Sequence, residues 1–275
     1  MQIDRGFAAV NGTSLYYELA GAGDTIVFIH GLGLDRRLWD EQFDRFSHEY
    51  RVVRYDLREF GRSARSGGDR FLHADDLHGL LEHVGIERAH LIGSSMGGRV
   101  AISSALLYPA SVRSLVLVDA TVEGYAFTDA FDAGLAAIGD RARTHGTAAA
   151  NELWFDNDLF ASARASADSN ALLKTMIGEY SGDMWRVGTR ERGSRPRPLE
   201  RLHELNVPTL VVVGEHDVPD FQRIAGVLAR EIAHARYAVV EDAGHLPALE
   251  RPERFGEIVL QFFRELKAPE PPFLG

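Results

Sequence analysis

Short apolar runs, separated by amphipathic segments, constrain the fold of this chain more than any other feature of its sequence. The runs Thr25–Ile29, Ser114–Val118 and Thr209–Val213 have no alternating polar face. Amphipathic segments of helical length, such as Leu72–Val84, lie between runs of this kind. Strands that are apolar on both faces are typical of a parallel sheet covered by helices on each side. The pattern therefore predicts an α/β fold with a mostly parallel sheet.

The remaining predicted strands bring this sheet to eight. Asn11-Gly12 separates two strand-forming segments, and Asn-Gly at such a point indicates a tight hairpin because both residues tolerate positive φ. The hairpin would add an antiparallel edge. Beside the three apolar runs, strands are predicted at 7–10, 14–19, 51–55, 90–92 and 236–240. Further helices are predicted at 96–107, 221–232 and 252–266.

The alternation of strands and helices breaks between residues 124 and 198, where the patterning is helical and shows no convincing strand. We interpret this block as a helical cap inserted after the sixth strand. The predicted organisation is a first core part at 1–123, the cap at 124–198, a second core part at 199–267 and a flexible tail at 268–275. One large domain with an insertion suits a chain of 275 residues.

Bulk properties exclude several classes of function. The formal net charge of −10, without a basic cluster, argues against binding to nucleic acid or to anionic membranes. The absence of cysteine removes disulfides, thiolate metal sites and a cysteine nucleophile, and it fits a reducing compartment. The first residues do not resemble a signal peptide, and no apolar segment has the length that a bilayer requires. We therefore expect a cytoplasmic protein that acts on a small molecule.

The sharpest motif is Gly93-Ser94-Ser95-Met96-Gly97, a G-x-S-x-G between a predicted strand and a predicted helix. An abrupt strand-to-helix turn strains its central residue, so the flanking positions must be small. The hydroxyl of that residue then projects at the carboxyl end of the sheet, beside the helix N-terminus. The motif predicts Ser95 as a nucleophile, and the glycine spacing favours it over its neighbour Ser94.

A second glycine-rich loop, His30-Gly31-Leu32-Gly33, follows a buried strand at its carboxyl end. Such a loop can direct a backbone N–H, here that of Leu32, toward the same point as the N–H of Met96, which would form an oxyanion hole. His30 is interpreted as a structural hydrogen-bonding residue. A dinucleotide-binding reading fails because Arg36 stands where a third glycine is needed. No cofactor is expected.

An acid and a base are predicted on later strand-end loops. Asp217 follows the strand at 209–213 and His245 follows the strand at 236–240, which is the chain order serine, acid, histidine of this kind of scaffold. Asp119, at the end of an earlier strand, is the runner-up for the acid. His73 falls on a predicted helix and is expected to be solvated. No histidine spacing typical of a metal site occurs, so no metal is expected.

Together these residues resemble the α/β-hydrolase superfamily, and the resemblance covers nearly the whole chain. The two glycine-rich segments and the segment 244–250 are similar to those of 3-oxoadipate enol-lactonases, carboxylesterases and haloperoxidase-like perhydrolases. The resemblance implies the α/β-hydrolase fold, a triad of Ser95, Asp217 and His245, and oxyanion donors at Leu32 and Met96. It does not specify a substrate, because many chemistries share this scaffold.

Two positions depart from related patterns. Glu59 stands where many members of the superfamily have glycine, so its backbone is expected to be strained if positive φ is required there. Its side chain is expected to be exposed on a tolerant loop. Leu246 follows the predicted catalytic histidine, whereas the C–C hydrolases that resemble this chain usually have tryptophan at that position.

The predicted activity is hydrolysis of a carboxylic ester or lactone through an acyl-enzyme on Ser95. The aromatic residues of the helical block suggest a mostly apolar acyl or aryl group, and the alternative is that they form only the core of the cap. The residues assigned to the pocket are Gly31, Trp154, Tyr180, Trp185 and Leu246. The alternatives are C–C bond hydrolysis, perhydrolysis or a lyase reaction on the same scaffold, or a ligand receptor derived from a hydrolase. A homodimer is left open.

Overall fold

The computed structural model of the protein describes residues 2–65 and 68–267, and within them eight strands form one sheet. The tail predicted at 268–275 lies outside the described residues. The strands are β1 (Asp4–Val10), β2 (Thr13–Ala20), β3 (Thr25–Ile29), β4 (Arg51–Tyr55), β5 (Ala89–Ser94), β6 (Val112–Val118), β7 (Thr209–Gly214) and β8 (Arg236–Val240). Their order across the sheet is β1-β2-β4-β3-β5-β6-β7-β8. Only the pairs β1–β2 and β2–β4 are antiparallel, so the predicted, mostly parallel sheet of eight strands is confirmed.

Helices cover both faces of this sheet. They are α1 (Asp40–Ser47), α2 (His73–His83), α3 (Met96–Leu107), α4 (Asp129–His145), α5 (Thr147–Phe155), α6 (Ala161–Ala165), α7 (Ala167–Glu179), α8 (Asp183–Val187), α9 (Pro219–Glu231), α10 (Pro247–Glu250) and α11 (Pro252–Lys267). Successive side chains of a strand point to opposite faces, and every residue of β3, β5 and β7 is buried. None of the described helices combines the length and the apolar character that a membrane span needs.

The antiparallel edge follows from the Asn-Gly turn. Asn11 and Gly12 have φ of 46° and 72°, and Val10 pairs with Thr13 across them. Two consecutive residues with positive φ make a turn whose twist matches that of the flanking strands. The N-terminal hairpin is therefore present as expected, and it places β2 beside β4.

Helices α4 to α8 all lie between β6 and β7, in a stretch that is described throughout. Buried polar contacts join them: Trp185 Nε1 donates to Asn151 Oδ1 at 3.0 Å, and Asn151 Nδ2 donates to the Tyr180 carbonyl at 2.7 Å. The start of the block is fixed to the core because Thr128 Oγ1 donates to Asp220 Oδ2 at 2.7 Å. The helical patterning expected between residues 124 and 198 is thus present.

The segment 190–192 lies near two side chains, Glu59 and His73, whose predicted exposure to solvent is wrong. The backbone around Phe71 pairs with the 190–192 segment, where Arg192 N–H donates to the Phe71 carbonyl at 2.7 Å. Glu59 has the expected positive φ, 76°, but its side chain is buried and pairs with Arg190 at 3.2 Å. His73 is also buried, not solvated, and packs edge-on against Phe71. Local patterning cannot show that a distant segment crosses both positions.

Candidate active site

Ser95 occupies the turn between β5 and α3, and its backbone is strained. Its φ of 54° and ψ of −115° lie outside the regions that L-residues favour. Two backbone hydrogen bonds hold it there: Ser95 N–H donates to the Val118 carbonyl at 2.9 Å, and its own carbonyl accepts from Thr121 N–H at 3.1 Å. The neighbouring strand β6 and the loop after it therefore fix the position of the hydroxyl.

The glycines around Ser95 are required by close approach of the backbone. A Cβ at Gly97 would lie 2.2 Å from the Ile29 carbonyl oxygen, and a Cβ at Gly93 would lie 2.3 Å from the Gly97 carbonyl oxygen. Both distances are far below contact, so neither position tolerates a side chain without movement of the backbone. The G-x-S-x-G pattern thus reflects the tightness of this strand-to-helix turn.

The loop after β3 approaches the same point. A Cβ at Gly31 would lie 3.3 Å from Ser95 Cβ, and Leu32, Met96 and Ser95 line one cavity. Met96 is the first residue of α3, where a backbone N–H has no acceptor within the helix. The amides at 32 and 96 therefore belong to the two backbone segments that border Ser95.

His30 anchors this loop from behind. Its Nε2 accepts from Leu57 N–H at 3.0 Å, so Nδ1 carries the proton and donates to the Gly31 carbonyl at 2.8 Å. Burial lowers the pKa of His30, which keeps the ring neutral. Both ring nitrogens are thus engaged with backbone, which fits the structural role expected for His30.

Asp217 and His245 meet at the carboxyl ends of β7 and β8. His245 Nδ1 lies 2.9 Å from Asp217 Oδ2, and both side chains are buried. Asp217 Oδ1 accepts from Val218 N–H at 2.7 Å. A carboxylate at this distance holds the imidazole proton on Nδ1 and leaves Nε2 as the nitrogen that can accept a proton.

The imidazole borders the wall of the cavity that contains Ser95. The ring of Phe221 lies 4.3 Å from the ring of His245, centroid to centroid, and Phe221 lines the cavity together with Ser95. Phe160 packs edge-on against the imidazole from another side, at 6.5 Å. Phe221 thus lines the cavity that contains Ser95 and also packs against His245.

Glu250 holds the loop that carries His245. Its carboxylate accepts from Gly244 N–H at 2.6 Å and from Leu246 N–H at 3.0 Å. These two amides flank His245 on either side, and Glu250 itself is buried in α10. Glu250 stands five residues after the histidine, in the segment 244–250 that resembles the α/β-hydrolases, but the sequence pattern alone did not indicate this role.

The cavity above Ser95 has a volume of about 340 Å³ and an aromatic wall. Phe127 and Phe131 stack at 4.5 Å and pack on Phe221, and Trp154 closes another side. Its polar end holds Arg99, which pairs with Glu191 at 2.5 Å. The sequence did not predict the phenylalanines and Arg99 as lining residues, because tertiary contacts such as that between Phe131 on α4 and Phe221 on α9 place them there.

The residues assigned to the pocket from sequence lie in different places. Trp154 lines the cavity, and Gly31 lies beside Ser95. Trp185 packs against Trp154 with centroids 5.4 Å apart and does not line this cavity. Tyr180 stacks on Phe60 and lines a separate cleft. Leu246 is 1% exposed and belongs to the core.

Within residues 2–65 and 68–267, two groups of acidic and histidine side chains are compact enough that they could hold a metal ion. In the buried group, Asp119, Asp217 and His245 each offer one ligand atom, and these atoms lie within 4.8 Å of one another. Two of these residues are already joined by the hydrogen bond described above. The other group is exposed and consists of Glu215, His216 and Asp242.

Comparison with known proteins identifies the family of the chain. The pattern of the α/β-hydrolase fold family matches residues 24–252. The protein named "Putative carbamate hydrolase RutD" from Azorhizobium caulinodans is 30% identical over 270 residues, which cover 94% of this chain and 98% of that protein. The 3-oxoadipate enol-lactonase 1 of Acinetobacter baylyi is 25% identical over 261 residues, or 93% of this chain and 95% of that protein. The solved structure of a thermophilic esterase from Thermogutta terrifontis has 27% identity and a TM-score of 0.81, and covers 96% of this chain and 100% of that one. The chain therefore belongs to the α/β-hydrolase fold family.

Proposed function

We propose that this protein is a serine hydrolase that cleaves a carboxylic ester or lactone through an acyl-enzyme on Ser95. The observation that carries the proposal is a strained serine that lines a cavity together with Phe221, whose ring packs against a buried His–Asp pair. A serine hydroxyl reacts only when a base removes its proton, and the base needs a carboxylate to orient it. His245 is the base that removes the proton, and Asp217 is the carboxylate that orients His245.

In the first half-reaction, Ser95 Oγ attacks the carbonyl carbon while His245 Nε2 takes the hydroxyl proton. The amides of Leu32 and Met96 stabilise the oxyanion that forms, and one such donor contributes about 3 kcal/mol. Collapse of the tetrahedral intermediate breaks the bond to the alkoxide, which receives the proton from His245. In the second half-reaction, His245 takes a proton from water, which attacks the carbonyl carbon of the acyl-enzyme. The carboxylic acid product is released, and Ser95 regains its proton from His245.

The proposed substrate is a small molecule with a mostly apolar acyl or aryl group. The aromatic wall of the cavity supports it, since Phe127, Phe131 and Phe221 present apolar rings to such a group. The guanidinium of Arg99, which also lines the cavity, pairs with Glu191. The absence of cysteine fits a reducing compartment and so supports a cytoplasmic location. Gel filtration distinguishes a monomer from a homodimer.

The test uses p-nitrophenyl esters of increasing acyl length, together with a lactone and a carbamate panel. Ser95→Ala is expected to lower kcat on the order of a millionfold, because the nucleophile of such a unit is lost. Ser94→Ala is the matched control. It removes the adjacent, buried hydroxyl, which has no hydrogen-bond partner in the described part of the chain, and is expected to keep turnover. Equal turnover by Ser95→Ala and wild type would overturn the proposal.

A fluorophosphonate probe gives an independent readout, because it labels only an activated nucleophile. Peptide mapping is expected to place the label on Ser95, and His245→Ala is expected to abolish labelling. Labelling of another residue would contradict the assignment of the nucleophile. The substrate panel separates an ester or lactone hydrolase from the alternatives. A perhydrolase, a lyase, a C–C hydrolase or a ligand receptor would show fast labelling with poor ester and lactone turnover.

A further inference from the structure

Asp119 is a buried acid that the proposed mechanism does not use. It follows the last residue of β6, has a positive φ of 43° and is fully buried. Its N–H donates to the Val212 carbonyl at 2.9 Å, and its Oδ1 accepts from Gly214 N–H at 3.0 Å. The side chain is therefore held against the end of β7, directly before the loop that carries Asp217.

Asp119 adjoins the acid–base pair itself. One of its oxygens, one of Asp217 and a ring nitrogen of His245 lie within 4.8 Å of one another. Two carboxylates this close in a buried site repel each other when both are ionised, because no water screens them. A proton on one of the two carboxyl groups removes this repulsion.

The hydrogen bonds decide which group is protonated. Asp217 accepts from the Val218 amide and from His245 Nδ1, whereas Asp119 accepts only from the Gly214 amide. More donors stabilise the charged form, so the negative charge stays on Asp217. In the described part of the chain, Asp119 Oδ2 has no donor, which is costly for an anionic oxygen but suits an O–H group that donates.

Electrostatics point in the same direction. Burial raises the pKa of Asp119 well above its usual value, and the negative charge of the nearby Asp217 raises that pKa further. Glu250, on α10, adds a smaller effect of the same sign. The other titratable groups near Asp119 are His245 and, on β8, Tyr237, whose pKa is raised first by burial and then by Asp119.

We propose that Asp119 is a positioning residue, whose carboxylic acid group donates a hydrogen bond to Asp217 and so fixes the carboxylate that orients His245. This inference rests on the proposed function. Because Asp119 is neutral, a single negative charge faces the imidazolium that forms during the reaction. The O–H donor holds Asp217 in place while His245 gains and loses its second proton.

The test compares Asp119→Asn with Asp119→Ala. An asparagine amide can donate to Asp217 and still accept from the Gly214 amide, whereas alanine can do neither. Asp119→Ala is expected to lower kcat about ten- to a hundredfold with a smaller change in KM, as expected for loss of a hydrogen bond to a charged group. Asp119→Asn is expected to restore kcat to within about threefold of wild type and to leave the midpoint of the acid limb of its pH profile unchanged.

Infrared difference spectroscopy provides a readout that does not depend on activity. The difference spectrum of wild type minus Asp119→Asn, recorded at neutral pH, is expected to show the C=O stretch of a protonated carboxyl group. Absence of this band overturns the inference, because Asp119 would then be ionised. If Asp119→Ala does not fold, the band and the asparagine variant still decide the matter.

The kinetic outcomes are equally decisive. If Asp119→Asn loses as much kcat as Asp119→Ala, or shifts the midpoint of the pH profile downward, Asp119 acts as a second carboxylate and the inference is wrong. If neither variant changes kcat, Asp119 has no positioning role. Failure of the proposed function has a different signature, because Ser95→Ala would then retain turnover whatever the Asp119 variants do.

Discussion

Replacing Glu250 by alanine removes the acceptor of the two amides that flank His245. The carboxylate lies 2.6 Å from the Gly244 nitrogen and 3.0 Å from the Leu246 nitrogen, and Glu250 is only 6% exposed. A hydrogen bond to a charged group contributes about 1.5–3 kcal/mol, and alanine leaves both buried donors unpaired. We therefore expect Glu250→Ala to lower the free energy of unfolding by about 3–6 kcal/mol. Glu250→Gln keeps one acceptor oxygen and is expected to lose about half as much.

Urea denaturation followed by tryptophan fluorescence measures this loss. Glu257→Ala is the matched control, because its side chain is 65% exposed and pairs only with Arg254 on the same helix, at 3.4 Å. Such surface pairs contribute little, so the control is expected to change the free energy of unfolding by less than about 0.5 kcal/mol. Ester turnover by the folded Glu250→Ala variant is expected to fall about tenfold or more in kcat, since the His245 loop is no longer held.

Two results would refute this reasoning. If Glu250→Ala costs no more stability than Glu257→Ala, the two short contacts do not stabilise the loop. If the free energy of unfolding falls as expected but kcat of the folded variant equals that of wild type, Glu250 stabilises the fold without positioning His245. Temperatures well below the unfolding midpoint keep the two readouts separate.

Two further substitutions test packing and burial. Gly97→Ala would place a Cβ 2.2 Å from the Ile29 carbonyl oxygen and is expected to lower the free energy of unfolding by at least about 3 kcal/mol. Gly134→Ala, within α4 and with nothing near the added methyl group, is expected to raise it by about 0.5–1 kcal/mol, and similar effects in urea denaturation would contradict the packing argument. Burial lowers the pKa of His73 from 6.5 to about 4, so the unfolded chain binds the proton first as pH falls, and stability is lost between about pH 6.5 and 4. His73→Gln is expected to reduce the stability lost between pH 7 and pH 4.5 by about 2 kcal/mol, and an unchanged pH dependence would count against the buried, neutral imidazole.

The sheet could be predicted from the sequence because local patterns, apolar runs and one Asn-Gly turn, indicate its strands. The bounds expected for 51–55, 96–107 and 236–240 are those of β4, α3 and β8. Continuous apolar runs imply burial on both faces, and the structure buries every residue of the central strands. Asn11-Gly12 specified the hairpin through two residues with positive φ.

The surroundings of the site were not predictable in the same way. Ser95, Asp217 and His245 could be proposed because each follows a strand at the same edge of a parallel sheet. The inward turn of Phe131 depends on how α4 packs against α9, and no local pattern encodes that packing. Likewise, His73 has an ordinary helical context, and its burial depends on a segment more than a hundred residues away in the chain.

Strands β6 and β7 pair in register, from Leu115 with Thr209 to Val118 with Val212, although the segment 119–208 separates them in the chain. The chain thus leaves the sheet after β6, forms the helices α4 to α8, and returns to the sheet at β7, directly beside β6. Doubling the length of a closed loop adds only about 0.6 kcal/mol of entropy cost. We expect a helical block of another length or shape, grafted between β6 and β7, to reshape the cavity while β5, β7 and β8 keep their positions, so the lining of the cavity would change while Ser95, Asp217 and His245 stay in place.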